Sequence, residues 1–328
     1  MQERYSHIDI ARGIAIILVV LGHCCSKNSG DDVNRLILSF HMPLFFFISG
    51  VFAKKCESNN LYGMIMHKAK TILLPQILLA ATIYILRGVP HLLSGKSLAE
   101  FNFLYGIRYW FLPTLFACSV IHILLYSMIN IEKKIVAICV ILCTIGLIFV
   151  TVGMLEIPND GWSKFFKLVP VAFLFYMLGF VFKKRALSIN GIQNSMHGFI
   201  LLLLFPILVF VAQLNSPVMM YRSEYGIFPL FLLSSTIGII IVIACSKRIM
   251  GGAILQEFGR MSIAVYVWNF LITGCSNVLL LKMSKMMGVD INNFMAPLVF
   301  FISIVVLYFI SKYSLKLCPM LYGQKKYA

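Results

Sequence analysis

Arg12 and His23 are the residues of the first apolar segment whose types and spacing could serve one reaction. They lie eleven positions apart, and at about 100° per residue this spacing returns both to one face of an α-helix, about 16.5 Å apart along its axis. Asp9 precedes Arg12 by one turn, a spacing that allows an ion pair. Ionisable groups inside a membrane span mark a site by default, so the face indicates a polar pathway. The alternative is that Asp9 and Arg12 are interfacial anchors and that His23 only ends the helix.

A second set of polar residues follows in the next apolar segment. His41, Phe45 and Ser49 repeat at every fourth position and therefore share one helical face. Ser49 and Gly50 present a small surface that a second helix or a slender ligand can approach closely. If the two segments run antiparallel, His41 lies at the same end as His23. The alternative is that small and aromatic residues simply pack two helices together.

The elements that position these residues are membrane helices. The chain has 328 residues, of which 60% are hydrophobic and only 12% charged, with a mean hydropathy of +0.91. These values exclude an ordinary soluble domain and a disordered chain. About 20 apolar residues cross a bilayer as a helix. The predicted spans are residues 8–25, 36–53, 71–87, 109–129, 134–152, 167–183, 197–213, 225–245, 262–282 and 295–316.

The basic residues orient this all-α integral membrane protein of about ten transmembrane helices. With the N-terminus inside, 17 of the 28 lysines and arginines fall in cytoplasmic segments, 10 fall in the opposite segments, and Arg12 lies within a span. This partition predicts that both termini are cytoplasmic. It also accounts for the net charge of +16 without a nucleic-acid partner. The nine cysteines indicate neither a disulfide framework nor a zinc site, and residues 1–328 are interpreted as one membrane domain.

Four segments carry a resemblance to a known family. They are Arg12 with His23 after ten residues, the string His41-Met-Pro-Leu-Phe-Phe-Phe-Ile-Ser-Gly50, Tyr109-Trp-Phe-Leu-Pro113, and Gly259-Arg-Met-Ser-Ile-Ala-Val-Tyr266. Taken in order, they resemble the acyltransferase 3 family of bacterial integral membrane acyltransferases. The nearest branch resembles the fucose 4-O-acetylases.

The resemblance implies a membrane O-acyltransferase, most simply an O-acetyltransferase, in the inner cell membrane. It would move an acyl group from cytoplasmic acyl-CoA, such as acetyl-CoA, to a hydroxyl of a cell-envelope or exported glycan. Acyl-CoA is then a donor substrate, and no permanently bound cofactor is expected. The chain ends at Ala328 without the extracytoplasmic domain that some relatives append. The membrane domain would therefore deliver the acyl group itself.

Each candidate residue receives a role from this chemistry. His23 is the expected general base, since an imidazole suits proton transfer near neutral pH, and His41 supports it. Asp9 would orient Arg12. Phosphates of the donor would meet Arg12, Lys68 and Lys70, and the thioester would meet Ser49 or the Gly50 amide. The aromatic residues expected at the acceptor sugar are Phe45, Tyr109 and Trp110, the latter two at the predicted outer start of the fourth span.

Two departures from the family pattern affect these expectations. Many members carry an arginine pair before the proline of the third span, where this chain has Lys68 and Lys70 before Pro75. Lysine neutralises a phosphate but cannot grip it with a bidentate fork. Members often end the span-nine motif with histidine, where this chain has Asn269. A proton-transfer role at that position is therefore not expected.

Two other classes of function stay open on the sequence alone. A protein with a polar pathway could export a glycan without catalysis, or it could be a structural membrane subunit that needs neither Arg12 nor His23. Three further histidines have no polar partners at a suitable spacing in the sequence and are interpreted as structural or solvated: His91, His122 and His197.

Overall fold

The computed structural model describes most of the chain. It describes residues 5–28, 31–55, 60–77, 80–81, 110–155, 157, 163–188, 195–249, 251–288 and 294–324. Within these ranges the chain forms helices and no β-strand, apart from a single bridge between Met219 and Glu224. The predicted all-α membrane fold is confirmed.

Twelve α-helices are described, and several shorter turns connect or extend them. The α-helices are α1 (Ser6–Asn28), α2 (Asp31–Val51), α3 (Leu61–Lys68), α4 (Phe111–Met128), α5 (Lys134–Ile148), α6 (Lys164–Val181), α7 (Lys183–Leu187), α8 (Ser195–Leu214), α9 (Phe228–Arg248), α10 (Ala253–Arg260), α11 (Ser262–Met287) and α12 (Met295–Leu317). The shorter elements are π-helical turns at Ala69–Leu73 and Phe149–Met154 and 3₁₀ turns at Met220–Arg222 and Pro319–Tyr322.

Eight of the described helices are long and apolar enough to cross a membrane. They are α1, α2, α4, α5 with its π-helical extension, α6, α9, α11 and α12, and each corresponds to a predicted span. The predicted seventh span corresponds to α8, whose apolar part is Leu201–Leu214. For the predicted third span, helical structure begins at Leu61, earlier than residue 71, and residues 78–79 and 82–87 of that span lie outside the described residues.

Helices α1 and α2 form the centre of the bundle. Helix α1 packs against α2, α9, α10, α11 and α12, while α2 also packs against α6, α8 and α9. Large aromatic side chains fill the interior, among them Phe46, Phe175, Tyr176 and Phe231. The two helices that carry the predicted catalytic residues are therefore the most enclosed elements of the fold.

Gly50 and Gly179 allow α2 and α6 to cross at backbone distance. A Cβ atom built at Gly50 would clash with the carbonyl oxygen of Tyr176, and one built at Gly179 would clash with that of Phe47. Small residues of this kind let membrane helices approach closely. The small surface predicted at Gly50 is thus occupied by a neighbouring helix.

Charged side chains collect where several helices end together. Lys183 donates to the carbonyl of Ala53 at 3.1 Å, and Lys55 pairs with Glu132 at 2.8 Å. Gln324 donates to the carbonyl of Arg260 at 3.0 Å. These contacts involve the ends of α2, α4, α6 and α12 and the short helix α10, and the ion pair of Arg260 with Asp9 adds the start of α1.

We call this region the basic end, defined by Arg12, Lys54, Lys68, Lys183 and Arg260. The first and last described parts of the chain both lie there. Their location at one end agrees with an even number of crossings, while the side of the membrane that this end faces stays a prediction.

Candidate active site

Asp9 lies between two arginines at the basic end. Its carboxylate is 3.9 Å from Arg12 and 3.7 Å from Nε of Arg260. Only about a tenth of the Asp9 side chain is exposed, against about a third of each arginine. The structure thus brings Asp9 and Arg12 together, as their spacing predicts, and adds a second guanidinium to them.

Arg12 also rests on an aromatic ring. Its guanidinium carbon lies 4.6 Å from the centre of Phe52, just beyond the end of α2. A guanidinium is stabilised over an aromatic face, and the stacking limits its rotation. Asp9 and Phe52 together hold Arg12, about a third of whose side chain is exposed.

Two lysines extend this positive surface. Lys68 is half-buried and lies within electrostatic range of Lys54 and Arg12. Burial, together with these two positive neighbours, lowers the pKa of Lys68. Lys70, the other predicted phosphate contact, is exposed on the π-helical turn that follows α3. The structure therefore brings Arg12 and Lys68 together and leaves Lys70 in an open position.

The two histidines of the predicted pathway lie near each other. His23 is exposed in the last part of α1, within electrostatic range of the buried His41. Nδ1 of His41 donates to the carbonyl of Ile37 at 2.8 Å. This hydrogen bond fixes the tautomer of a neutral His41, since a carbonyl only accepts. His23 is thus the more accessible of the two imidazoles.

Ser49 and Gly50 take different positions on α2. The Ser49 hydroxyl donates to the carbonyl of Phe45 at 2.8 Å, so its oxygen is left only as an acceptor. Gly50 faces Tyr176 at the helix crossing, and its amide belongs to the interior of α2. Neither residue presents a free donor to a thioester in this conformation.

The aromatic residues predicted near the acceptor form a cluster inside the bundle. Phe111 contacts Phe45 at 5.6 Å, Phe46 at 5.3 Å and Tyr266 at 5.5 Å between ring centres. Trp110 lies 6.2 Å from Phe46. The start of α4 therefore lies beside the second half of α2, deeper than the expected outer position. Tyr109 lies outside the described residues.

Some buried polar residues have a setting that the sequence does not reveal. His122 of α4 is 2% exposed, and neither of its ring nitrogens forms a hydrogen bond of good geometry with a described residue. Asn269 is also buried, and its side-chain oxygen has no hydrogen-bond partner among the residues that the structure describes. The sequence indicates Arg260 only as a member of the motif Gly259–Tyr266. The surroundings of His122, Asn269 and Arg260 depend on packing between distant helices, which residue spacing does not predict.

The fold is that of a multi-pass helical membrane protein. Its central helix α1 carries a positively charged cluster around Arg12 at one end and the accessible imidazole of His23 towards the other. Residues 5–313 match the family model described as an acyltransferase domain, the acyltransferase 3 family. The chain belongs to this family and is a membrane acyltransferase. No significant similarity was found to a curated protein or to a solved structure.

Proposed function

We propose that the protein is an O-acyltransferase that moves an acyl group, most simply acetyl, from acyl-CoA at the basic end to a hydroxyl of a glycan at the opposite end. The donor phosphates bind at Arg12, Lys68 and Lys70, and the slender thiol-bearing arm follows α1 towards His23. The protein lies in the inner cell membrane, and its basic end faces the cytoplasm. The acceptor is a cell-envelope or exported sugar, as in the fucose 4-O-acetylase-like branch.

His23 acts as the general base in this mechanism. Its imidazole takes the proton of the attacking hydroxyl while the hydroxyl oxygen bonds to the thioester carbonyl carbon. The carbon–sulfur bond then breaks, and the imidazolium returns the proton to the departing thiolate. A positioned base typically contributes about 10²–10⁴-fold to the rate of such a step.

One observation carries the proposal: Arg12 and His23 share a face of the central helix α1. Arg12 belongs to the positively charged cluster at the basic end, and His23 supplies an accessible imidazole towards the other end of the helix. Asp9 and Phe52 fix the guanidinium of Arg12. The helical rise separates the two positions by about 16.5 Å, so a phosphate and a thioester held there must belong to an elongated donor. The aromatic cluster around Phe45 and Trp110 supplies ring faces suited to a sugar or to the donor arm.

The test compares wild type with His23→Ala, each purified in nanodiscs and supplied with radiolabelled acetyl-CoA and envelope glycan. Label should pass to glycan with wild type only, and mass spectrometry of the product gives the hydroxyl position. In cells, an exporter would still deliver glycan of unchanged acylation with His23→Ala. A structural subunit would be indifferent to changes at both Arg12 and His23. Either outcome would contradict the proposal.

A further inference from the structure

His122 is a buried imidazole that the proposed reaction does not use. It is enclosed by the rings of Phe180, Tyr176 and Tyr126, at 4.8, 5.5 and 6.0 Å between ring centres. Buried polar groups in proteins are almost always hydrogen-bonded. Among the described residues, the backbone of Lys54 comes close enough to act as a hydrogen-bond partner of this imidazole, although neither ring nitrogen forms a hydrogen bond of good geometry. At least one ring nitrogen is therefore left for a polar group beyond the described residues.

The backbone of one lysine and the charges of two others lie near this imidazole. The backbone of Lys54 adjoins His122, and the charges of Lys68 and Lys183 lie within electrostatic range of it. The hydrogen bond from Lys183 to Ala53 holds the Lys183 ammonium next to the backbone of Lys54. The helices agree with this placement, since α4 packs on α3 and α6, and α2 packs on α6.

No described carboxylate forms an ion pair with these three lysines. Among the described acids, Glu132 has a charge that reaches Lys183. Glu132 is exposed and pairs instead with Lys55 at 2.8 Å. Like charges that converge without a counter-ion are unfavourable, and a bound anion removes that cost. The lysines and the His122 imidazole would therefore be satisfied by the same kind of ligand, an anion with several acceptor oxygens.

We propose that His122, with Lys54, Lys68 and Lys183, forms a subsite that receives a phosphate of the nucleotide end of the acyl donor. This inference rests on the proposed function. The lysines supply charge, and the imidazole supplies a directional N–H donor. Lys68 borders both Arg12 and His122. A nucleotide with phosphates at two positions can therefore engage Arg12 and this subsite at once.

The experiment measures binding of adenosine 3′,5′-bisphosphate to the full chain in phosphatidylcholine nanodiscs by calorimetry. His122→Phe keeps an aromatic ring and removes both nitrogens, while Lys54→Ala changes an exposed side chain. Each variant should bind about 10–100-fold more weakly, as expected for the loss of a contact to a charged group. Lys55→Ala is the matched control, since the adjacent lysine pairs with Glu132, and its affinity should equal that of wild type.

Two results would overturn the subsite. One is bisphosphate affinity that is the same in wild type and Lys54→Ala, a comparison that stands even if His122→Phe does not fold. The other is unchanged bisphosphate affinity together with weaker retention of phosphatidylglycerol by the variants in native mass spectrometry, which would assign the cluster to a lipid headgroup. If acyl transfer depends on His23 but the binding measurements give either of these results, the subsite is refuted and the proposed function stands. Wild type without transfer would refute the proposed function.

Discussion

The carboxylate of Asp9 lies 3.7 Å from Nε of Arg260, and this ion pair joins the first helix to the segment that precedes α11. Asp9 lies one turn before Arg12, whereas Arg260 belongs to the motif Gly259–Tyr266, far along the sequence. Because Asp9 also faces Arg12, one carboxylate orients two guanidinium groups at the basic end. A displacement of α10 would therefore reach the proposed donor site through Asp9.

Helix α10 is held in place by polar and by backbone contacts. Glu257 accepts hydrogen bonds from Tyr308 at 2.5 Å and from Lys312, whose ammonium is 2.8 Å from the carboxylate. These contacts tie α10 to α12. On its other side, Gly259 approaches the backbone of Asp9 so closely that a Cβ atom there would clash with the Asp9 carbonyl oxygen.

Substitution of Gly259 by alanine should therefore destabilise the protein. Overpacking of this kind typically costs about 1–3 kcal/mol, and here a backbone atom must move. Gly274→Ala is the control, because nothing lies within 4 Å of a Cβ at that position, and a helical glycine replaced by alanine should gain about 0.5–1 kcal/mol. Thermal unfolding in detergent, followed by tryptophan fluorescence, should show a lower Tm for Gly259→Ala only. Equal Tm values for the two variants would contradict the close helix contact.

Arg12 should be needed for binding of the donor rather than for folding. Arg12→Ala should weaken acetyl-CoA binding in calorimetry, since the charge beside Asp9 and Phe52 is lost. Arg12→Lys should restore the affinity only in part, because an ammonium lacks the planar fork of a guanidinium. Arg35→Ala is a suitable control, as Arg35 donates to the Gln213 carbonyl at the opposite end. Affinity that is the same for wild type and Arg12→Ala would remove this role.

The local part of this arrangement could be predicted from the sequence. The shared face of Arg12 and His23, and the pairing of Asp9 with Arg12, depend only on helical periodicity, which one segment determines by itself. Eight described helices likewise correspond to predicted spans because each is a single apolar run. Helix existence and intrahelical faces are thus properties of short stretches of sequence.

The remaining features depend on how the helices pack. The contact of Arg260 with Asp9 and the approach of Lys54 to His122 each join distant parts of the chain. Spacing carries no information about such contacts. Gly50 illustrates the same limit, since a small residue that suits a ligand equally suits a helix crossing, and the structure places Tyr176 there.

Donor affinity should depend on pH through Lys68. Burial, with Lys54 and Arg12 nearby, lowers the pKa of Lys68, so its ammonium loses the proton at a lower pH than an ordinary lysine. A neutral amine cannot neutralise a phosphate, and affinity for adenosine 3′,5′-bisphosphate should therefore fall as pH rises through this lowered pKa. Lys68→Arg should abolish the fall, because a guanidinium stays charged. The same decline in wild type and Lys68→Arg would exclude Lys68 as its origin.

The topology can be tested by reporter fusions. Fusions after Lys55 and after Arg185 should both report the cytoplasm, since both residues lie at the basic end and the distribution of basic residues favours that side. A fusion after Glu224 should report the opposite side, because Ser223 contacts the Lys164 carbonyl at the far end of the bundle. An external reading after Lys55 or Arg185 would refute the predicted orientation.

The final prediction separates the two histidines near the far end of α1. His23 is exposed and shares the face of Arg12, whereas His41 is buried and donates to the Ile37 carbonyl at 2.8 Å. His23→Ala should lower the rate of acyl transfer by about 10²–10⁴-fold, the usual contribution of a positioned base, with donor affinity unchanged. His41→Ala should keep a measurable rate, because it removes only support for the helix and for His23.

The pH profile of the transfer rate distinguishes a base from a purely structural residue. In wild type the rate should fall as pH drops below neutrality, since a protonated imidazole cannot accept the hydroxyl proton. His41→Ala should retain this acid limb at a lower rate, whereas the residual activity of His23→Ala should lose it. Single-turnover measurements with labelled acetyl-CoA isolate the chemical step from product release. Wild-type turnover by a His23→Ala protein present at normal level would refute the assignment and make His41 the better candidate for the base.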